Sequence, residues 1–169
     1  STVMLTFEAV TEQVEQKQRY RRRARQQAAV SRLGQRGLET DDLDEFMREV
    51  CRTVSGVLDN EYCKVLELDD SVNELFLREG IGWDDGVVGT ATVASDENSQ
   101  AGYTLLSEEP VVVEDLESET RFSGTELLTE HDVVSGISTV IGSTEEPWGI
   151  LGTHDRDHQT FADEDVHFV

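Results

Sequence analysis

The 169-residue chain is short of the residues that punctuate and cross-link small proteins, with two prolines, two cysteines and only two lysines, Lys17 and Lys64. Two cysteines cannot build a disulfide scaffold, and Cys51 and Cys63 fall in a predicted helix and a predicted strand, as core thiols do. No apolar run approaches the roughly 20 residues that span a bilayer, and the start carries no secretory signal. A cytoplasmic protein that does not insert into membranes is expected. Positive charge is scarce too: 36 acidic residues stand against 14 basic ones, a formal net charge of −22. That balance disfavours nucleic acid and anionic membrane as partners. An acid excess with so little lysine suits a cytoplasm of molar salt, where the Debye length falls to about 3 Å and carboxylate repulsion is screened. A halophile's protein is expected.

Catalytic signatures are missing as well. There is no Ser, His and Asp set in a hydrolase context and no phosphate-cradling glycine loop followed by Lys. Gly80, Gly82, Gly86 and Gly89 read as turn glycines, because no apolar-periodic helix follows them directly. Asp84-Asp85 and Glu108-Glu109 are pairs that chance supplies among 36 carboxylates. His154 and His158 have a spacing that serves metal sites on helices, but their run HDRDH follows a predicted strand and reads as a solvated loop. His131 is a haem-ligand candidate by residue type alone. The fragment is read as non-catalytic, with no metal and no assignable cofactor.

What is present begins with a long helix. Residues 7–34 are rich in Glu, Gln, Arg and Ala and free of Pro and Gly until Gly34. Phe7, Val10, Val14, Lys17, Arg21, Ala24, Ala28 and Ser31 alternate three and four apart, a heptad seam with a weak middle. Residues 1–36 hold three Glu against one Lys and seven Arg, net +5, so residues 37–169 carry −27. The cluster RYRRRAR at 19–25 reads as a linker helix facing acidic surface of its own or a second chain. Two units are therefore expected, a linker helix over 1–34 and an acidic domain over 35–169.

Within the second unit Thr40 is the expected N-cap of a helix whose residues 43, 46, 47, 50, 51, 54, 57 and 58 form one apolar face. Residues 62–68 and 72–79 read as a β-hairpin. Three further β-type runs, 111–113, 137–141 and 148–151, are separated by Gly, Ser, Thr and acidic turn residues, as in an antiparallel sheet. The segment 86–93 is expected as a strand or short helix, 99–106 as a short helix or loop, and 117–131 as a lid with a helical turn at 125–128. Asp163 is the expected cap of a final helix. Irregular connections this long inside a compact domain usually carry function.

The order of GVVGTATV at 86–93, PVVVED at 110–115, RFS at 121–123, GISTVIG at 136–142, WGILG at 148–152 and Phe161 with Asp165 resembles a GAF domain over residues 29–169. It resembles most the GAF modules of multi-domain sensor histidine kinases from salt-loving archaea. The resemblance implies an α+β fold of GAF/PAS type: a central antiparallel sheet of five to six strands flanked by helices, with the long N-terminal linker helix beside it. It implies a pocket between sheet and lid, for which Trp83, Thr92, Tyr103, Phe122, Ser123, Ser138 and Trp148 are the candidate lining residues. A cyclic nucleotide is not expected, since Val166 stands where that subgroup has Glu and no Asn-Lys pair occurs. Bilin or sulfoxide-reducing chemistry would need cysteine at the pocket, where none is expected.

The expected function is a sensory or regulatory module cut from a cytoplasmic signalling protein, a histidine kinase first. PAS or kinase domains would adjoin it, a small molecule would fill the pocket, and a homodimer would form through the terminal helices. The alternatives are a module of a helix-turn-helix transcription regulator, or a small cysteine-dependent redox enzyme of the same fold.

Overall fold

A computed structural model describes residues 2–169. Its first element, α1 (Thr2–Glu39), is one uninterrupted helix. It passes Gly34, where the sequence suggested an end, and continues through Gly37, so a boundary at 34 falls inside the helix. Gly37 is kept by contact: a Cβ there would stand 3.1 Å from the ring of Phe46, which packs against the helix backbone. Only the second half of α1 touches the domain, through buried Gln26 and Ala29 and half-buried Leu33 and Arg36. At 3.6 residues per turn this row lies roughly opposite the heptad seam. Phe7, Val10 and Val14 of that seam remain exposed.

Helix α2 (Leu43–Leu58) is capped by Asp42 rather than Thr40: the Asp42 carboxylate accepts from the Glu45 N–H at 3.1 Å, while Thr40 Oγ1 accepts from Asp42 N–H. Asp44 and Glu45 in its first turn suit the positive end of the helix dipole. Met47, Cys51 and Val54, spaced four and three, are its buried face. Each such apolar side chain contributes about 1.5–3 kcal/mol when taken from water. Arg36 joins α1 to α2 through Glu49 at 3.0 Å.

The sheet has six strands, β1 (Tyr62–Asp69), β2 (Glu74–Ile81), β3 (Thr92–Ala94), β4 (Val111–Val113), β5 (Ser135–Gly142) and β6 (Pro147–Asp155). They run antiparallel in the order β3-β2-β1-β6-β5-β4. The chain is thus an α+β protein with a central antiparallel sheet. Helices cover it, and its halves are joined where β1 meets β6. The connection from β3 to β5 carries α3 (Gln100–Leu105), β4, a 3₁₀ turn (Leu116–Ser118) and α4 (Glu126–Glu130). Ser99 caps α3 by accepting from Gly102 N–H at 3.0 Å. Residues 86–90, one of the ambiguous stretches, form turns with Gly86 and Gly89 at positive φ, so the strand starts only at Thr92.

The last helix, α5 (Asp163–Phe168), is capped at Ala162, not Asp163. The Asp165 carboxylate accepts from the Ala162 N–H at 3.2 Å and from the Gln26 amide of α1 at 2.8 Å. Arg22 adds an ion pair to it at 3.6 Å. The two terminal helices therefore pack on each other.

Candidate functional site

Strand alternation divides the sheet into two faces. On one, Cys63 and Val65 of β1 and Leu151 of β6 meet α2. On the other, Tyr62, Leu66, Leu77 and Ile150 lie under α3, α4 and the Trp83 loop, in one buried cluster with Ala101, Leu127 and Leu128. This lidded face has a polar middle. Register places Lys64 of β1 beside Gly152 of β6, and Gly152 beside Ser138 of β5. One step along, Tyr62 pairs with His154 and His154 with Gly136.

Ser138 is buried and ties the sheet to α3: its hydroxyl accepts from the Gln100 amide at 3.1 Å and shares a hydrogen bond with Thr104 at 2.7 Å. Trp83 closes one side. Its indole N–H donates to the Cys63 carbonyl at 2.9 Å, and its ring lies 4.7 Å from that of Tyr62. Gly80 makes this possible, since a Cβ there would stand 2.6 Å from the indole. His131 locks the same loop to α4, with Nδ1 on the Leu127 carbonyl at 2.8 Å and Nε2 accepting from the Asp84 N–H at 3.2 Å. With both nitrogens engaged it offers no free atom to a haem iron.

Lys64 is 2% exposed and His154 fully buried. The Lys64 ammonium lies 5.8 Å from the centre of the Trp83 ring, and no ion pair reaches it among the described residues. Burial lowers this amine from the usual lysine range to about 7. Neither ring nitrogen of His154 has a hydrogen-bond partner. Burial, and then the neighbouring Lys64 charge, hold its imidazole well below the ordinary range; the Ser135 backbone, a neighbour outside hydrogen-bond geometry, pulls the other way. The loop placement expected for His154 is therefore corrected: β6 runs on through Asp155 and turns the ring inward, while His158 stays exposed.

Of the seven candidate lining residues, Trp83 and Ser138 belong to this middle. Tyr103 and Phe122 sit at the β4 end, their rings 5.3 Å apart, with the Arg121 guanidinium over both. The Glu119 carboxylate holds Arg121 at 2.8 Å and is itself held at about 2, first by the Arg121 side-chain hydrogen bonds. Arg121 also donates to the Val112 carbonyl at 2.7 Å, so the 116–123 lid is pinned to β4. Thr92 and Ser123 are exposed, Thr92 on the edge strand. Trp148 lies on the opposite face with α2, under Arg78 at 5.7 Å.

The thiols are on that opposite face also. Cys51 and Cys63 are free and buried, and the adjoining Cys51 thiol, then burial, push Cys63 well above the ordinary thiol range. A protonated, buried thiol is a poor nucleophile. Among the described residues no group of three His, Cys, Asp or Glu is placed to hold a metal ion, and no helix is long and apolar enough to cross a membrane. Sequence reasoning missed Lys64, His154, Gln100 and Thr104. The period-two parity of Tyr62, Lys64 and Leu66 was the available signal, and it was masked by the habit of placing lysine outside.

Residues 42–169 match the GAF domain family profile. Among solved structures the chain is similar to the GAF domain of a phosphoenolpyruvate-protein phosphotransferase from Coxiella burnetii, at 20% identity and TM-score 0.77, covering 86% of each chain. It is similar to a free methionine-R-sulfoxide reductase from Neisseria meningitidis, at 12% identity and TM-score 0.71, covering 85% of this chain and 80% of that one. It is also similar to a domain of a putative two-component sensor histidine kinase protein from Sinorhizobium meliloti, at 15% identity and TM-score 0.57, covering 76% and 83%. Identities this low speak for the fold. No curated protein matches.

Proposed function

The chain belongs to the GAF domain family, and from that premise we propose that it is a non-catalytic sensory module of a cytoplasmic signal-transduction protein, a histidine kinase first. In this reading residues 1–34 are a linker and 35–169 the sensing domain. A small molecule held on the lidded face, by Trp83 and Ser138 with Tyr103 and Phe122 and with Thr92 and Ser123 further out, biases the terminal helices. Two subunits pair along α1, and PAS or kinase domains adjoin them in the parent chain. The acid excess and scarcity of lysine favour a salt-loving archaeal source.

The observation that carries the reading is the fastening of α1. Its inner row is bonded to α5 through Gln26 and Asp165 and to α2 through Arg36 and Glu49, while its outer apolar row stays exposed. A rod held on one side and bare on the other is how a domain biases a helical bundle, and coupling of this kind amounts to about 1–3 kcal/mol. A sensor protein and a reductase both share this fold, and the raised Cys63 thiol argues against the redox alternative.

Hydrogen exchange in molar salt tests the relay. Ser138→Val removes the hydroxyl that ties β5 to α3 and adds the bulk of one carbon beneath the helix. The relay predicts faster exchange in residues 20–36 and in α5, on the far side of the sheet. Changes confined to α3, α4 and the strands beneath them would refute it.

A further inference from the structure

We propose that the polar middle of the lidded face binds a small organic monoanion through its carboxylate, with Lys64 as the counter-charge and His154 as the orienting polar group. The inference rests on the sensory reading and names the ligand class that the reading leaves open.

Among the described residues no carboxylate is ion-paired with the buried Lys64. The carboxylates that do pair go to arginines, as Glu49 to Arg36, Glu79 to Arg48 and Asp44 to Arg78. A buried cation without a partner is costly unless something arrives to pair with it. His154 is a second and independent sign, a fully buried imidazole with both nitrogens unused.

Both groups converge on one point. A Cβ at Gly152 would lie 3.0 Å from His154 Nε2 and 3.1 Å from Lys64 Cε, and a Cβ at Gly136 would collide with His154 Nδ1. The two glycines keep β5 and β6 bare where the lysine chain and the imidazole lie. The lysine chain packs directly over Gly152, so in this proposal the ligand takes its place there as that flexible chain turns aside.

The charge count selects the class. One ammonium balances one negative charge, whereas a phosphate dianion would leave excess charge inside a domain that already carries −27 over residues 37–169. The Trp83 face beside Lys64 suits a flat or branched apolar body behind the carboxylate. With the amine brought to about 7 by burial, an anion entering near neutral pH draws a proton onto it.

The test uses the full chain in molar salt, with Trp148→Phe so that emission reports Trp83. The probes are acetate, isobutyrate and benzoate, each paired with its neutral amide, titrated to tens of millimolar. The proposal predicts saturable emission changes with at least one acid bound about tenfold more tightly than its amide, the size of one charged hydrogen bond. Lys64→Met should fold and erase that preference. In the unsubstituted chain, the NMR titration midpoint of the Lys64 ε-methylene should rise when the acid is added, which serves if Lys64→Met fails to fold. Absence of any saturable response to the acids overturns the proposal, as does a preference that survives Lys64→Met or a Lys64 midpoint that does not move. Amides binding as well as acids would sink the anion class and leave the sensory reading standing; loss of the relay in the Ser138→Val exchange experiment would sink the sensory reading by itself.

Discussion

Lys64 and His154 make stability depend on pH in a direction set by their folded states. The Lys64 amine, lowered to about 7 by burial, is mostly neutral in the fold above that pH, while an unfolded lysine keeps its proton to about 10.5. The unfolded chain therefore binds more protons across that window, and stability rises as pH rises through it. Cys63 acts oppositely once pH passes the ordinary thiol value of 9.0, because the fold retains a proton that the unfolded chain loses. His154, held low in the fold, takes stability away as pH falls below 6.5. The expected outcome is a melting temperature in molar salt that increases from pH 7 to pH 9. Lys64→Met should flatten the rise and raise stability at pH 7; the full shift corresponds to on the order of 5 kcal/mol as an upper bound. Calorimetry across this range checks both. Gly136→Ala should cost about 1–3 kcal/mol, since its methyl collides with Thr153 O and the His154 ring; chemical denaturation measures it. Neither sensitivity was visible in the sequence. A lone Lys in an alternating strand and a His near a polar run both look solvated until β6 is seen to continue through Asp155.

Among the elements, the sheet was the most legible. Val111–Val113 and the runs at 137–141 and 148–151 appear where β-branched residues and turn glycines put them, and α3 falls within the 99–106 stretch left open between helix and loop. Helix ends were less so. Asp42 displaces Thr40 as cap of α2 because Asp42, three residues before Glu45, reaches the free N–H there. Gly37 failed to stop α1 because packing against Phe46 outweighs its low propensity, a cost of about 1 kcal/mol, and Gly34 is carried along within the same helix. The packing of α1 on α5 was expected from the sequence, but the Gln26–Asp165 bond that makes it was not, since the two residues are far apart in the chain and meet only in the fold. Asp165→Ala should leave the buried Gln26 amide unpaired and cost about 1–3 kcal/mol. Proton exchange in residues 20–33 should quicken, which mass spectrometry of the exchanged chain reads directly.

For the whole molecule, the sheet is a partition. Its lidded face holds Lys64, His154 and Ser138 out of water, and its other face packs against α2 and Phe168 of α5 in the cluster of Met47, Cys51, Val65 and Leu151, the route that the proposed relay would take. The outer side of α1 then needs a surface to act on. Val3, Phe7, Val10 and Val14 recur four, three and four apart and are 80, 69, 53 and 49% exposed, a row that a second copy of α1 would bury as a two-stranded seam. The measurement that bears most directly on this account is mass by light scattering in molar salt. The intact chain is expected at twice its 18.9 kDa, and Val10→Glu with Val14→Glu is expected to return it to a folded monomer. A mass of 18.9 kDa for the intact chain at every concentration, or a dimer indifferent to the two substitutions, would contradict it.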